Sequence, residues 1–327
     1  MQQGEGGSER GAGFSSPACA LHEVDPIYAG LDRPGGWLVL GAPLNSSGTP
    51  DGVARMPAAL RAHGLAERLG ARDGGDLDVA IGTPERDGAT GIIGFADVLA
   101  TLRTVRERVD EVLRAGERPL VLGGCCTVLI GIAVALCDVF DRVGLAFLDG
   151  HLDFYDGRSS PTGECADMGL AILAGIGPPA LTGLAGPPPL LAPREIVAVG
   201  CRDEALATAN GAPDPRRLAP EMELHDVAAV RVDPVRLGAE IAARLAERCG
   251  RFWLHLDLDI LDETALPSVD YRMPGGLSWA ELEALAGPLA RSPRVVGADV
   301  TIYNPDLDPE GHDAERIVES LARIWTG

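Results

Sequence analysis

The sequence predicts a single three-layer α/β/α domain, with helices covering both faces of one mainly parallel sheet. Short runs that are apolar on both faces, such as Val143–Leu148 and Ile196–Val199, read as buried strands. Stretches of helical period lie between them, so strand and helix alternate from about residue 37 to residue 325, with no internal repeat and no linker. At 327 residues the chain is long enough for one large sheet to bury its core.

In chain order, residues 1–35 are Gly- and Ser-rich without periodicity and read as a flexible tail, leaving 36–327 as the domain. Trp37–Leu40 is the first strand. The small-residue loop Gly41–Gly48 either presents Asn45 and Ser46 at that strand's carboxyl end or serves turn chemistry alone. A helix over Arg55–His63 carries Pro57 in its first turn, and His63 reads as a surface residue on it. A strand at Leu77–Ile81 precedes a long amphipathic helix over Ala96–Ala115, marked by Val98, Leu102, Val105, Val109 and Val112. Next come a strand at Pro119–Gly124 and a buried helix over Cys125–Leu136. After the strand at 143–148 follow a helix over Ala166–Gly175, a Pro-rich connection over 177–193, a strand at Glu195–Gly200 and a helix over Pro234–Cys249. Phe252–Asp259 is a strand, and Ser278-Trp-Ala-Glu281 is a capping box opening a helix to about Leu289. Val295–Ile302 is the last strand, and Ala314–Trp325 the closing helix.

A formal charge of −20, with every Lys/Arg-type cation an Arg, argues against nucleic acid or an anionic membrane as partner. No apolar run approaches the roughly 20 residues of a membrane-spanning helix. Seven cysteines at no framework spacing, behind an N-terminus without a signal-like pattern, point to a reducing cytoplasm.

The chemistry concentrates at two strand ends. Asp149-Gly-His151-Leu-Asp153 follows the apolar run Val143–Leu148, and in extended geometry its three polar side chains share one face. His255-Leu-Asp257-Leu-Asp259 repeats the pattern, with Leu254, Leu256 and Leu258 on the opposite face. Burying like charges together costs several kcal/mol (~2–5) unless something neutralises them. Four carboxylates with an imidazole suit two hard cations sharing an oxygen ligand, Mn²⁺ first among them.

These motifs resemble the ureohydrolases, the arginase and agmatinase superfamily. Gly41-Ala-Pro43, Gly48, Pro57, Leu60-Arg61, Gly123-Gly124, the two carboxylate motifs, Gly200-x-Arg-Asp203, Leu261-Asp262, Gly275-Gly-Leu277 and Asn304-Pro305 occur in that family's order. The resemblance implies an arginase-like fold, a Mn²⁺ pair, hydrolysis of a guanidinium C–N bond, and a homo-oligomer, a trimer or hexamer. It also implies Asp149 and Asp257 as bridging ligands, with His151, Asp153 and Asp259 each binding one metal.

The chain departs from the family at four places. Where the family has Gly-Gly-Asp-His, this chain has Gly123-Gly-Cys-Cys126; Cys126 is either a soft ligand that favours Zn²⁺ or Fe²⁺, or an inert residue at a helix start. His255 stands where a small polar residue is usual, and is read as supporting a ligand or as an additional ligand, the former favoured. Ile302, beside Tyr303, replaces the Glu that pairs with guanidinium. The proton-transferring His is missing from Thr162–Met168, where Glu164 or Asp167 either handles a proton or a cation, or complements a helix dipole. Asp203 is placed at the pocket rim or in a turn contact.

The expected function is therefore dinuclear metal-dependent hydrolysis of a C–N bond in a modified guanidine, amidine or amide. A metal-bridging hydroxide attacks, Asp153 takes up its proton, and Glu164 holds or protonates the leaving amine. His255 joins the catalytic set, while Asn45, Glu164, Asp203 and Tyr303 form the substrate side. Two other readings stand beside it: a catalytically weakened paralogue serving as scaffold or partner-binding subunit, and a single-metal deacylase with Tyr303 as oxyanion donor.

Overall fold

Eight short strands, every pairing between them parallel, form one sheet in the computed structural model, which describes residues 36–327. The tail expected over 1–35 lies outside the described residues. The strands are β1 (Trp37–Ala42), β2 (Arg72–Asp76), β3 (Arg118–Gly123), β4 (Gly144–Leu148), β5 (Ile196–Val199), β6 (Glu223–His225), β7 (Phe252–Asp257) and β8 (Val295–Thr301). Their spatial order is β2-β1-β3-β8-β7-β4-β5-β6.

That order fixes the layers. The connections leaving β2, β3 and β4 step one way across the sheet, and those leaving β1, β6 and β7 step the other way. Right-handed crossovers then put helices Phe95–Arg114, Val128–Val139 and Gly169–Leu173 on one face, and Pro234–Cys249 and Trp279–Ala290 on the other. The packing agrees: Phe95–Arg114 lies against Val128–Val139, Pro234–Cys249 against Trp279–Ala290, and the closing helix His312–Thr326 joins the second layer. The α/β/α expectation holds. Because the chain leaves β4 and β7 in opposite directions, a crevice opens at their carboxyl ends, where ligands bind in sheets of this kind.

Among the element boundaries that differ from expectation, three do so for plain physical reasons. The second strand is Arg72–Asp76, not Leu77–Ile81. Leu77, Val79 and Ile81 do bury alternate side chains, but the ladder to β1 is made by the polar edge residues before them. Arg61 offsets the charge of that edge by binding Asp73, Asp76 and the Gly75 carbonyl. The buried helix starts at Val128, since Cys125–Thr127 make the turn that carries β3 into it. Finally, β7 stops at Asp257, and Leu258–Ile260 form a 3-10 turn in which the Asp257 carboxylate accepts the Asp259 N–H at 2.8 Å.

Register across the central strands decides what reaches the crevice. Phe147 of β4 pairs with His255 of β7, and His255 with Asp299 of β8. Toward the carboxyl end, Asp257 pairs with Thr301; toward the core, Trp253 pairs with Gly297. A side chain at position 297 would meet the Trp253 ring, since a Cβ there falls 2.2 Å from its Cζ3, so this glycine makes room for the indole.

Candidate metal centre

The stretch Asp149–Asp153 converges by a turn and not by extended geometry. β4 ends at Leu148, and Asp153 adopts φ 50°, a left-handed conformation unusual for a residue with a side chain. Carboxylates hold the turn in shape: Asp149 Oδ1 accepts His151 N–H at 2.6 Å, Asp203 Oδ1 accepts Leu152 N–H at 3.2 Å, and Asp259 Oδ1 accepts Gly150 N–H at 3.1 Å. The backbone is thus not the extended one that the period-two argument assumes.

Two groups of donor atoms result, each group lying within 4.8 Å, one from Cys126, Asp149, His255 and Asp257 and the other from Asp149, His151 and Asp259. Asp149 belongs to both. Its Oδ2 and that of Asp153 are buried without a hydrogen-bond partner, a costly arrangement that a cation would relieve. Cys126 donates its thiol to Asp257 Oδ2 at 2.6 Å and lies 3.3 Å from Thr301 Oγ1.

The electrostatics match crowded buried acids. Burial, and then Asp259, push Asp149 up to about 6. Burial followed by Asp149 and Asp257 raises Asp153 well above the usual carboxylate range, and burial followed by Asp259 and Asp149 does the same to Asp257. Asp259 moves down: burial opposes the shift but is outweighed by His151, whose Nδ1 lies 2.8 Å from Oδ2, and by the Gly150 N–H and Arg202. His151 in turn is pushed up to about 10, burial resisting and Asp259, Asp149 and Asp203 prevailing. Hard oxygen donors with buried imidazole thus fit a pair of divalent cations.

The other sequence-predicted residues take varied places. Glu164 accepts hydrogen bonds from Ser46 Oγ at 2.6 Å and Tyr271 O–H at 2.5 Å, and the Tyr271 ring meets His151 edge-on at 6.4 Å. Glu164 is thereby linked to the cluster through one tyrosine. Asp167 is tied to Ser160 and Thr162, bracing its own loop. Asp203 caps the turn of the 149–153 stretch. Asn45 spends its amide on Thr49, Asp51 and Ser47, and Tyr303 donates its hydroxyl to Asp308 at 2.8 Å, so the polar atoms of both are engaged outside the carboxylate cluster. Ile302 is buried with φ 66°, its N–H donated to the Gly124 carbonyl at 2.9 Å.

Sequence reasoning missed Asp299, Trp253 and Tyr271. Asp299 had a readable signal: a lone acid in the apolar run Val295–Val300 requires a buried partner. Tyr271 sits in a loop with no periodicity to mark it. Arg202 was quoted only as part of a motif, yet its guanidinium bonds the carbonyls of Asp259, Ile260, Leu261, Met273 and Pro274.

Known proteins resemble this chain in sequence and fold. The model of the arginase family matches residues 36–325. An arginase of Bacillus caldovelox is 30% identical over 293 residues, covering 88% of this chain and 97% of that protein. An arginase of Bacillus subtilis is 28% identical over 295 residues, covering 86% and 96%. The solved structure of the Bacillus caldovelox arginase superposes with a TM-score of 0.78, at 28% identity, over 90% of this chain and 99% of that one. The agmatine ureohydrolase of Thermoplasma volcanium, at 20% identity and a TM-score of 0.64, over 91% of this chain and 92% of that one, shares the fold.

Proposed function

The chain belongs to the arginase family, and from that premise we propose that it hydrolyses a C–N bond in a modified guanidine, an amidine or an amide, with two divalent cations, Mn²⁺ foremost. The observation that carries this reading is Asp149: one buried carboxylate with an orphaned oxygen, common to both groups of donor atoms. In this reading Asp149 would serve both cations, His151 and Asp259 would hold one, and Asp257, Asp153 and Cys126 would hold the other. When bound, the cations supply Lewis acidity and a water of lowered pKa.

The chain's own groups do the rest. Asp153, raised well above the carboxylate range first by burial and then by Asp149, is suited to hold a proton at Oδ2. Glu164, fixed by Ser46 and Tyr271, presents a carboxylate for a cationic group of the substrate or leaving amine. Ile302, in place of the Glu expected from the resemblance, removes one charge partner for a guanidinium and favours a modified or neutral acceptor.

A panel of guanidines, hydroxyguanidines, amidines and amides, assayed with Mn²⁺-loaded protein for urea and amine separately, tests the proposal. Turnover of at least one class, abolished in Asp149→Asn, is expected; no turnover with two ions bound would refute it. A second reading, a weakened paralogue kept as scaffold, is favoured by Cys126 and Ile302 standing in place of a ligand and a substrate partner. Fewer than one ion per chain after loading would support it.

A further inference from the structure

Building on the two-cation reading, we infer that His255 is itself a cation ligand through Nε2, oriented by Asp299, and that it replaces the imidazole missing at Cys126. The sequence favours a supporting role for His255; the geometry argues for the ligand instead. Nδ1 of His255 lies 2.6 Å from Asp299 Oδ2. Nδ1 is therefore engaged with that carboxylate, which leaves Nε2 as the ring nitrogen turned toward Asp149 and available to a cation.

That nitrogen is buried and without a partner, on a side chain 0% exposed. It faces Asp149 Oδ2, likewise without a partner, at 3.7 Å. The separation is too long for a hydrogen bond. It suits two donors on one ion, which with bonds of about 2.1 Å stand about 3 to 4 Å apart.

The ring is not free to turn away. Phe147 stacks on it, centroids 4.7 Å apart and planes at 21°. Asp299 is fixed in turn, since its other oxygen accepts the Trp253 indole N–H at 2.6 Å, and Gly297 leaves room for that indole. A carboxylate on the far nitrogen orients a ligating histidine and raises its basicity. The sheet permits the exchange: Cys126 follows β3 and His255 lies on β7, yet their donor atoms belong to one group with Asp149 and Asp257. Asp299 is a positioning residue, acting only through His255.

The test uses the full chain loaded with Co²⁺, with metal content and metal-edge X-ray absorption as readouts. Wild type should hold two ions and show two imidazole scatterers per ion pair, from His151 and His255. His255→Gln should retain one ion and one imidazole, and Asp299→Asn should weaken one ion by roughly ten- to a hundredfold while the other is unchanged. His255→Gln with two ions and unchanged imidazole scattering would overturn the inference and leave the two-cation reading intact. Wild type binding no metal would overturn both. Should His255→Gln not fold, the wild-type spectrum decides alone: a single imidazole per ion pair would count against His255.

Discussion

Cys126 Sγ lies 2.6 Å from Asp257 Oδ2, and the same oxygen accepts the Thr301 hydroxyl at 3.1 Å. Burial, and then Asp257, Asp153 and Asp149, push this thiol well above its ordinary range, so it stays a thiol and donates to the Asp257 carboxylate. Serine keeps that donor and removes the sulfur. In Cys126→Ser, Mn²⁺ binding should persist while Zn²⁺ loses roughly tenfold relative to Mn²⁺. Competition loading read by elemental analysis checks it, and an unchanged ratio would mean that sulfur touches no cation.

Stability should depend on pH with opposite slopes in the two forms. Asp149 is raised from 3.8 to about 6, by burial first and Asp259 second. A folded pKa above the unfolded one contributes stability that is full below about 3.8 and lost as pH rises through about 6. Asp153 and Asp257, raised for the same reason, continue the loss upward. Cations need the deprotonated ligands, so loading reverses the trend. The Tm of chelator-treated protein should fall across this window while that of loaded protein rises; parallel curves would contradict the assignment.

Arg202 holds the segment 259–274 to the crevice through the carbonyls of Asp259, Ile260, Leu261, Met273 and Pro274. Lysine cannot reproduce this fan, and carbonyls left without a donor cost on the order of 1–3 kcal/mol each when buried. Arg202→Lys should lower the stability read from urea unfolding by about 2–3 kcal/mol and weaken the ion proposed for His151 and Asp259. A midpoint within error of wild type would show that water replaces the guanidinium.

Glu164 offers the sharpest kinetic prediction. Removing a charged hydrogen-bonding group costs about 1.5–3 kcal/mol, so Glu164→Gln should reduce kcat/KM for a cationic substrate by roughly tenfold to a hundredfold. Tyr271→Phe, at a half-exposed position, should leave stability within about 0.5 kcal/mol and raise KM more than it lowers kcat. Equal effects on a neutral analogue would argue that Glu164 shapes the loop only.

The layered fold was legible because buried parallel strands need apolar residues on both faces, as in Val143–Leu148, and because Ser278 and Glu281 mark a helix start by chemistry alone. β6 and the helices around it, between residues 204 and 232, were not read, since short edge elements there carry mixed polar sequence. The carboxylates were legible as a set because charge at the end of an apolar strand demands a partner. Their backbone was not: the turn at Asp153 depends on bonds to Asp203 and Asp259, more than forty positions away in the chain. Asp299 shows the same limit, for its acid was visible and its pairing with His255 arises only from strand register.

Ile302 holds its main chain at φ 66°, the least comfortable choice for a β-branched residue, with its N–H fastened to Gly124. The conformation belongs to the scaffold, and any L side chain installed there inherits it. An unbranched acid would sit in it with less strain than isoleucine does. On the proposed reading the position is a socket: Ile302→Glu should shift preference toward cationic substrates with the surrounding backbone in place, read as the ratio of kcat/KM for a guanidine over that for a neutral amide.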